Sequence, residues 1–334
     1  MNKVKLIALS TLIALSSGVN AKTYKFAANI QDFGAIGQLI TKFTEEVREK
    51  TDKRVNIKIF WNGTLGGQAQ YLQQVKRGVI DFGLASSAVM ESIDSDIGVI
   101  NLPYIFRSTD EYKMIMDSDY AFNEIFSKTK PHNIETLGYM SNGFRSILSK
   151  DKVETIADIK GKKFRVPPSK TFIDTINNLG ATAVPLDFSE TYPAIQQGLV
   201  DGAEGTLASM YDSKLGEVAK FGLRTEQARL TDFVIASTKS MSKMSEADAK
   251  VVRDTMKQIS TYSVEFVDGQ QAGLEEQAVS EMGVSIVSVN KLEFMKSLNP
   301  MFDAAKKDGE RAQLVEHIFS LQGRSKYAEY PIVK

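Results

Sequence analysis

The stretch YMSNGFRSILSKDKVETIADIKGKKFRVPPSKTFIDTINNLG, residues 139–180, carries the features on which the fold and the function depend. It contains two short extended runs, each with one arginine in its middle, Arg145 in SNGFRS and Arg165 in KFRVP. Arginine is rarely buried without a partner, and the second run ends at Pro167, where the chain must leave a sheet. A guanidinium at the end of a strand can hold a carboxylate by two parallel hydrogen bonds. The stretch therefore predicts a protein that captures an anion.

A structural role is the common alternative for each of these arginines. An arginine on a strand is most often exposed or half of an ion pair within the protein. Two of them on neighbouring strands strengthen the case for a ligand without deciding it, so both roles stay open for Arg145 and Arg165 at this point.

The chain begins like an exported protein. Lys3 and Lys5 precede an apolar run, residues 6–19, and small residues follow before Lys22. This pattern is typical of a cleaved secretory signal, and the apolar run is too short for an ordinary membrane span. We predict a signal peptide at residues 1–21 and a soluble mature protein in a bacterial periplasm.

Charge and cysteine content limit the partners. The full chain has 41 basic and 41 acidic residues and no cysteine. Balanced charge gives no reason to expect binding to nucleic acid or to a membrane surface, so an anion site has to be local. A secreted chain without disulfides is stabilised by its core, and roughly 310 mature residues suffice for two domains of ordinary size.

Strands and helices alternate along the chain in two series. Apolar residues at helical spacing predict the first helix, and glycines separate the elements that follow. Such alternation indicates parallel strands with helices on both faces, an α/β fold. The first series is strand 24–28, helix 35–50, strand 55–60, helix 68–77 and strand 79–85. After two short helices within 109–128 and strands 135–140 and 144–149, the second is strand 163–166, helix 172–179, strand 183–185, helix 189–197 and strand 199–202.

The last third of the chain favours helix. A strand is predicted at 229–237, and residues 245–282 form either one long helix along both domains or two helices with a break near Gly269. Strand 284–287 and helices 291–308 and 311–322 complete the chain.

Enzymatic chemistry finds little support. The two histidines, His132 and His317, have no neighbouring nucleophile and no metal-ligand spacing, and no motif requires a cofactor. A general acid and base could come from four carboxylates near the predicted site, although caps and surface charges are commoner roles for such residues. These are Asp187, Glu190, Asp201 and Glu204.

Several motifs, in their order and spacing, resemble the substrate-binding proteins of tripartite ATP-independent periplasmic (TRAP) transporters, the DctP family. The resemblance runs along nearly all of the mature chain. The motifs are GVIDF at 78–82, LPYIF at 102–106, NGFR at 142–145, IADIKGKKFRVP at 156–167, FSETY at 188–192 and QQGLVDGAE at 196–204.

The resemblance implies an α/β fold of two domains, similar to type II periplasmic binding proteins, with hinge strands and a long domain-spanning helix. Domain I would comprise residues 22–142 plus 231–268, and domain II residues 143–230 plus 269–334. It further implies a monomer without a cofactor that closes around its ligand.

The implied function is an extracytoplasmic receptor that delivers an organic acid to a membrane TRAP permease. C4-dicarboxylates and sugar acids such as uronates or aldonates are the leading ligand classes, and small monocarboxylates stay open. Two other roles also stay open: a periplasmic receptor that senses a small carboxylate, and, less favoured, a periplasmic enzyme.

The resemblance also implies a set of ligand contacts. Arg165 would make the principal bidentate salt bridge, and Arg145 a second contact. Gly205 stands where many relatives carry an asparagine, so Thr206, a backbone group or water would have to supply that hydrogen bond, or the ligand would be larger. Ser86 stands where some acid-sugar receptors carry a glutamate, which makes a sialic-acid receptor less expected than a general organic-acid one. The remaining residues expected at the cleft are Asn29, Ser87, Phe188, Glu204 and Thr206.

Overall fold

A computed structural model describes residues 22–325. The signal peptide predicted at residues 1–21 lies outside this range. Within it, no helix combines the length and the apolar character that crossing a membrane requires.

One mixed sheet runs through the molecule. Its strands follow the spatial order β2-β1-β3-β8-β4-β7-β5-β6, and β9 pairs with β8. The strands are β1 (Lys22–Ala27), β2 (Val55–Phe60), β3 (Phe82–Ser86), β4 (Ile134–Ser149), β5 (Lys163–Val166), β6 (Thr182–Pro185), β7 (Gly202–Thr206), β8 (Phe221–Ser237) and β9 (Ser285–Ser288).

Helices cover the sheet. Four short 3-10 turns and one π-helical turn supplement them at Ser95–Asn101, Phe126–His132, Phe188–Glu190, Leu215–Glu217 and Ala121–Ile125. The helices are α1 (Ala35–Lys50), α2 (Gln68–Arg77), α3 (Ser87–Met90), α4 (Thr109–Met116), α5 (Lys170–Asn178), α6 (Thr191–Gln196), α7 (Ser209–Asp212), α8 (Thr238–Met241), α9 (Glu246–Met282), α10 (Lys291–Ala305) and α11 (Gly309–Leu321).

Two α/β lobes share this sheet, which confirms the predicted fold class. In the first lobe β1 pairs in parallel with β2 and β3, and in the second β5 pairs in parallel with β6 and β7. The long antiparallel strands β4 and β8 run through both lobes and connect them. Their register shifts between Ser141 and Phe144, which lies beside the predicted domain boundary at residues 142/143. That boundary itself stays a prediction.

Two predicted strands begin later than expected. Residues 79–81 and 199–201 are turns, and the strands start at Phe82 and Gly202 instead. In each turn a left-handed glycine ends the preceding helix, and the next residue, Val79 or Leu199, is exposed although it is apolar. The strands were predicted too early because these two residues are apolar, although the backbone turns at both positions.

The strands predicted at 135–140 and 144–149 are one strand, β4, because the glycine between them forms an irregularity rather than a turn. Helix α9 is likewise continuous, so the break considered near Gly269 does not occur. It begins at the Ser245 cap and ends at the left-handed Gly283. Its N-terminal part packs against β4 and α1, and α7 packs against it as well, so neighbours on both lobes support it.

A buried arginine that the sequence did not single out joins the elements at the crossing between the lobes. Arg229 on β8 is 1% exposed, and its Nε and Nη2 donate to Ser141 Oγ on β4 at 3.1 and 2.8 Å. Its Nη1 donates to Thr109 Oγ1 on α4 at 2.8 Å, and its Nη2 pairs with Asp268 Oδ1 on α9 at 2.6 Å. The guanidinium also lies over the ring of Tyr112, 4.6 Å from its centroid. This cluster fixes the strands from which both lobes extend.

We expect Arg229→Ala to lower the free energy of unfolding by about 3 kcal/mol, because it leaves the Asp268 carboxylate and Ser141 without their shared donor. Urea unfolding measures the change. The matched control is Arg253→Ala, which removes an arginine paired with Glu135 at the surface and should cost less than about 1 kcal/mol. Equal losses for the two variants would contradict a special role for the buried cluster.

Candidate functional site

A cavity of about 350 Å³ lies between the lobes. The first lobe contributes Asn29 and Ser86, the second contributes Arg165 and Phe188, and the long helix contributes Gln271. Arg165 and Ser86 come from the carboxyl ends of β5 and β3. Ligand sites of α/β proteins commonly form at these strand ends, because the loops that follow leave a crevice there.

Arg165 is the cationic centre of this cavity. Its residue is 3% exposed, and its Nε donates to the Leu186 carbonyl at 3.0 Å. Neither Nη atom has a hydrogen-bond or ion-pair partner among residues 22–325, and neither is fully enclosed. The ring of Phe188 lies 5.7 Å from the guanidinium carbon. The side chain is thus held at one nitrogen while its two outer nitrogens face the cavity.

Burial makes the charge of Arg165 costly. Loss of water, followed by the positive charge of Arg145, lowers the pKa of Arg165 to about 9, although nearby carboxylates oppose the shift. The guanidinium remains protonated at neutral pH, but its charged form is less stable than it would be in water. An anion placed between its Nη atoms would restore the lost stabilisation.

Arg145 has a different environment. Its Nε and Nη2 donate to Glu204 Oε1 and Oε2, both at 2.7 Å, and Nη2 also donates to the Glu204 carbonyl at 2.7 Å. Both residues are buried, so this is a bidentate ion pair inside the second lobe. The alternative role considered for Arg145, half of a structural pair, therefore applies to most of its donors. Within residues 22–325, Nη1 of Arg145 is the guanidinium nitrogen without a hydrogen-bond partner.

The structure separates the nine residues predicted to bind the ligand into two groups. The cavity wall includes Asn29, Ser86, Arg145, Arg165, Phe188 and Thr206. Ser87, Glu204 and Gly205 lie behind it: Ser87 donates to Asn101, Glu204 pairs with Arg145, and a side chain at Gly205 would point at Leu148. Direct ligand contact stays a prediction for all nine, and the geometry gives these three an indirect position.

A chain of hydrogen bonds crosses the cavity from one lobe to the other, centred on Asp187. Its Oδ1 accepts from Asn29 Nδ2 at 3.1 Å, and its Oδ2 accepts from the Gln68 backbone N–H at 3.2 Å. Gln68 Nε2 in turn donates to Asn29 Oδ1 at 3.0 Å, and Ser86 donates to Gln68 Oε1 from both its N–H and its Oγ. We call this cluster of Asp187, Asn29, Gln68 and Ser86 the latch. Its bonds hold the lobes together across the cavity.

The charge of Asp187 favours this contact. Burial alone would raise the pKa of Asp187, but hydrogen bonds from Asn29, Ser189 and Gln68 lower it below its usual value. Its Oδ2 also meets the first N–H of α2, where a helix stabilises negative charge. Since the depressed pKa favours the ionised form, the latch is fully formed above the ordinary pKa of aspartate and weakens as the pH falls through the lowered value.

The four carboxylates considered as a general acid and base have structural partners. Asp187 and Glu190 form a reciprocal capping box at the turn Phe188–Glu190. Asp201 accepts from the Lys163 N–H at 2.8 Å, and Glu204 pairs with Arg145. Residues 22–325 also hold no group of three side chains suited to a metal ion. Capping and pairing account for these acids without a reaction.

Sequence reasoning missed several polar residues of the cavity wall, among them Asn142, Asp232 and Gln271. Asn142 Nδ2 donates to Asp232 Oδ2 at 2.6 Å, and Gln271 Nε2 donates to the Asn142 carbonyl at 3.3 Å. Asn142 belongs to the NGFR motif and could have been singled out with Arg145. Asp232 had only one signal, a carboxylate inside an apolar strand, which is expensive to bury unless it has a partner or a ligand.

The class of the protein follows from this architecture and from its sequence relatives. The profile of the bacterial extracellular solute-binding proteins of family 7, DctP, matches residues 27–308. The chain belongs to this family, which confirms the resemblance seen in its motifs.

Individual relatives agree with the family. A solute-binding protein of Chromohalobacter salexigens is 30% identical over 270 residues, 80% of each chain. A solved TRAP periplasmic solute-binding protein from the same organism, with bound D-glucuronate, has a TM-score of 0.85 at 27% identity and covers 90% of this chain and 100% of its own. Another from Anaerococcus prevotii, with bound α/β D-glucuronate, has a TM-score of 0.86 at 27% identity and covers 90% and 98%.

The latch predicts how the ligand-free protein is distributed between open and closed forms. We expect Asp187→Ala to shift the protein towards open lobes, because both cross-cavity bonds of Asp187 are lost. Small-angle X-ray scattering should then give a larger radius of gyration than for the wild type. The matched control is Glu190→Ala, which perturbs the same turn but leaves the bonds to Asn29 and Gln68. An unchanged radius for Asp187→Ala, or an equal increase for both variants, would contradict the latch.

Proposed function

We propose that this protein is a periplasmic receptor for a sugar acid, a uronate or an aldonate, whose carboxylate binds Arg165 between the lobes. The observation that carries the proposal is a buried guanidinium in the cavity wall whose two Nη atoms have no partner among residues 22–325. A planar fork of two N–H donors matches a carboxylate in geometry as well as in charge. The bound D-glucuronate of the two solved relatives supports the same ligand class.

The other polar groups of the cavity suit hydroxyls. Arg145, the second arginine in the wall, is already paired with Glu204, whereas the Nη atoms of Arg165 have no partner among residues 22–325, so Arg165 is the group that can hold one carboxylate. Amide and hydroxyl side chains surround the remaining space and can each donate and accept. They include Asn29, Asn142, Ser189, Thr206, Gln270 and Gln271. This composition favours a polyhydroxy acid over a C4-dicarboxylate.

Delivery to a TRAP permease completes the proposal. The lobes are connected by two strands and a helix, and the latch joins them across the cavity. A ligand that binds both lobes favours closure, and closure creates a surface that distinguishes loaded from empty receptor. Family membership and the TRAP relatives support a permease as the reader of that surface.

Calorimetric titration with D-glucuronate and D-galacturonate tests the ligand site. We expect Arg165→Ala to weaken binding at least about 100-fold, because a buried carboxylate loses its charged partner. Arg165→Lys should recover little of this loss, since an ammonium cannot make the two parallel hydrogen bonds. Arg253→Ala, at an exposed surface pair, serves as the control and should bind like the wild type. Undiminished affinity in Arg165→Ala, or no binding of any sugar acid by the wild type, would overturn the proposal.

Uptake by whole cells tests delivery separately. We expect a strain without this receptor, but with its TRAP permease, to take up labelled D-glucuronate only when the wild-type receptor is restored. The Arg165→Ala variant should not restore uptake, because it carries no ligand to the permease. Uptake that is equal with and without the receptor would contradict the transport role while leaving the binding site intact.

A further inference from the structure

A buried carboxylate at the back of the cavity has one oxygen without a protein partner. Asp232, on β8, is 3% exposed and lies in the cavity wall. Its Oδ2 accepts from Asn142 Nδ2 at 2.6 Å. Its Oδ1 accepts no hydrogen bond from any group within residues 22–325, yet it is not among the fully enclosed atoms that lack a partner. The space that Oδ1 faces is therefore the cavity.

The position of Asp232 is fixed by the strands on both sides of β8. It pairs with Ser86 of β3 and with Met140 of β4, in the middle of the hinge strands. Asn142, which holds its Oδ2, is in turn held by Gln271 of α9. Because both strand neighbours and the amide are anchored, the free oxygen cannot easily turn to another protein group. A buried carboxylate in such a position costs stability unless something supplies a second donor.

We propose that Asp232 is the acceptor for a ligand hydroxyl and that it sets the ligand class, admitting polyhydroxy acids with one carboxylate and rejecting diacids. This inference rests on the proposed function, because it assumes that Arg165 binds the carboxylate of the ligand. It adds a residue of the opposite charge at the hinge.

Charge explains the selection. An ionised carboxylate only accepts hydrogen bonds, so a hydroxyl satisfies Oδ1 whereas a second ligand carboxylate would be repelled. Burial raises the pKa of Asp232 to about 6, although the Asn142 hydrogen bond and the charge of Arg145 oppose this, so the group is mostly ionised at neutral pH. Of these two wall residues, Arg165 therefore favours an anionic group of the ligand and Asp232 favours a hydrogen-bond donor.

Two probes that share a six-carbon polyhydroxy skeleton test the proposal: D-glucuronate, with one carboxylate, and D-glucarate, with a carboxylate at each end. Calorimetry at neutral pH should show that the wild type prefers D-glucuronate by at least about tenfold. Asp232→Asn keeps the shape of the side chain but removes the charge. We expect it to weaken the binding of D-glucuronate and to reduce the preference for D-glucuronate over D-glucarate at least about tenfold.

The control is Asp174→Asn, which removes one negative charge from an exposed residue paired with Lys170 outside the cavity, and it should keep the wild-type preference. If Asp232 had only a structural role, its substitution would weaken the binding of both probes equally. An unchanged ratio of the two affinities in Asp232→Asn would therefore overturn this inference while leaving the proposed function intact. If that variant does not fold, as its melting curve would reveal, the wild-type ratio still decides: equal or tighter binding of D-glucarate overturns the role of Asp232. That result would leave Arg165 as a carboxylate site.

Discussion

A buried guanidinium that has no ion-pair partner among residues 22–325 is the constraint on which the rest of this structure depends. Arg165 is 3% exposed, donates one hydrogen bond to the Leu186 carbonyl, and has two further nitrogens in the wall of the cavity. Its neighbour Arg145 illustrates the usual solution, a bidentate pair with Glu204 inside the same lobe. The difference between the two arginines supports the proposed site: Arg145 has a carboxylate partner within the protein, and Arg165 is the arginine for which we propose a ligand carboxylate.

The fold places that charge in a cavity between two lobes. Strands β4 and β8 pass through both lobes, and the Arg229 cluster fixes them where they cross. Across the cavity, the lobes meet through the hydrogen bonds of Asp187 with Asn29 and Gln68. The lobes are therefore joined by hydrogen-bonded strands on one side of the cavity and by the polar contacts of the latch across it. Polar contacts of this kind exchange readily with water, which is consistent with the proposed opening of the lobes.

Much of this arrangement could be predicted from the sequence, and the contacts that could not be predicted share a physical cause. Arg165 was found because an arginine between apolar residues at a strand end is unusual, and the parallel lobes followed from alternating periodicities. The latch could not be found, because Asp187 and Asn29 are 158 residues apart along the chain and nothing local links them. The pairing of Arg145 with Glu204 was missed for a similar reason: it depends on the register of β4 against β7. The predicted first residues of two strands, Val79 and Leu199, were wrong because these apolar residues lie in exposed turns.

A crystal structure of the complex with D-glucuronate would show where the ligand carboxylate binds. We predict that both of its oxygens lie about 2.8 Å from Nη1 and Nη2 of Arg165, in the parallel geometry of a charge-assisted pair. We also expect closed lobes with the Asp187 to Asn29 contact in place. A carboxylate bound elsewhere in the cavity, with the Arg165 guanidinium facing water or an acid of the protein, would contradict the role of Arg165.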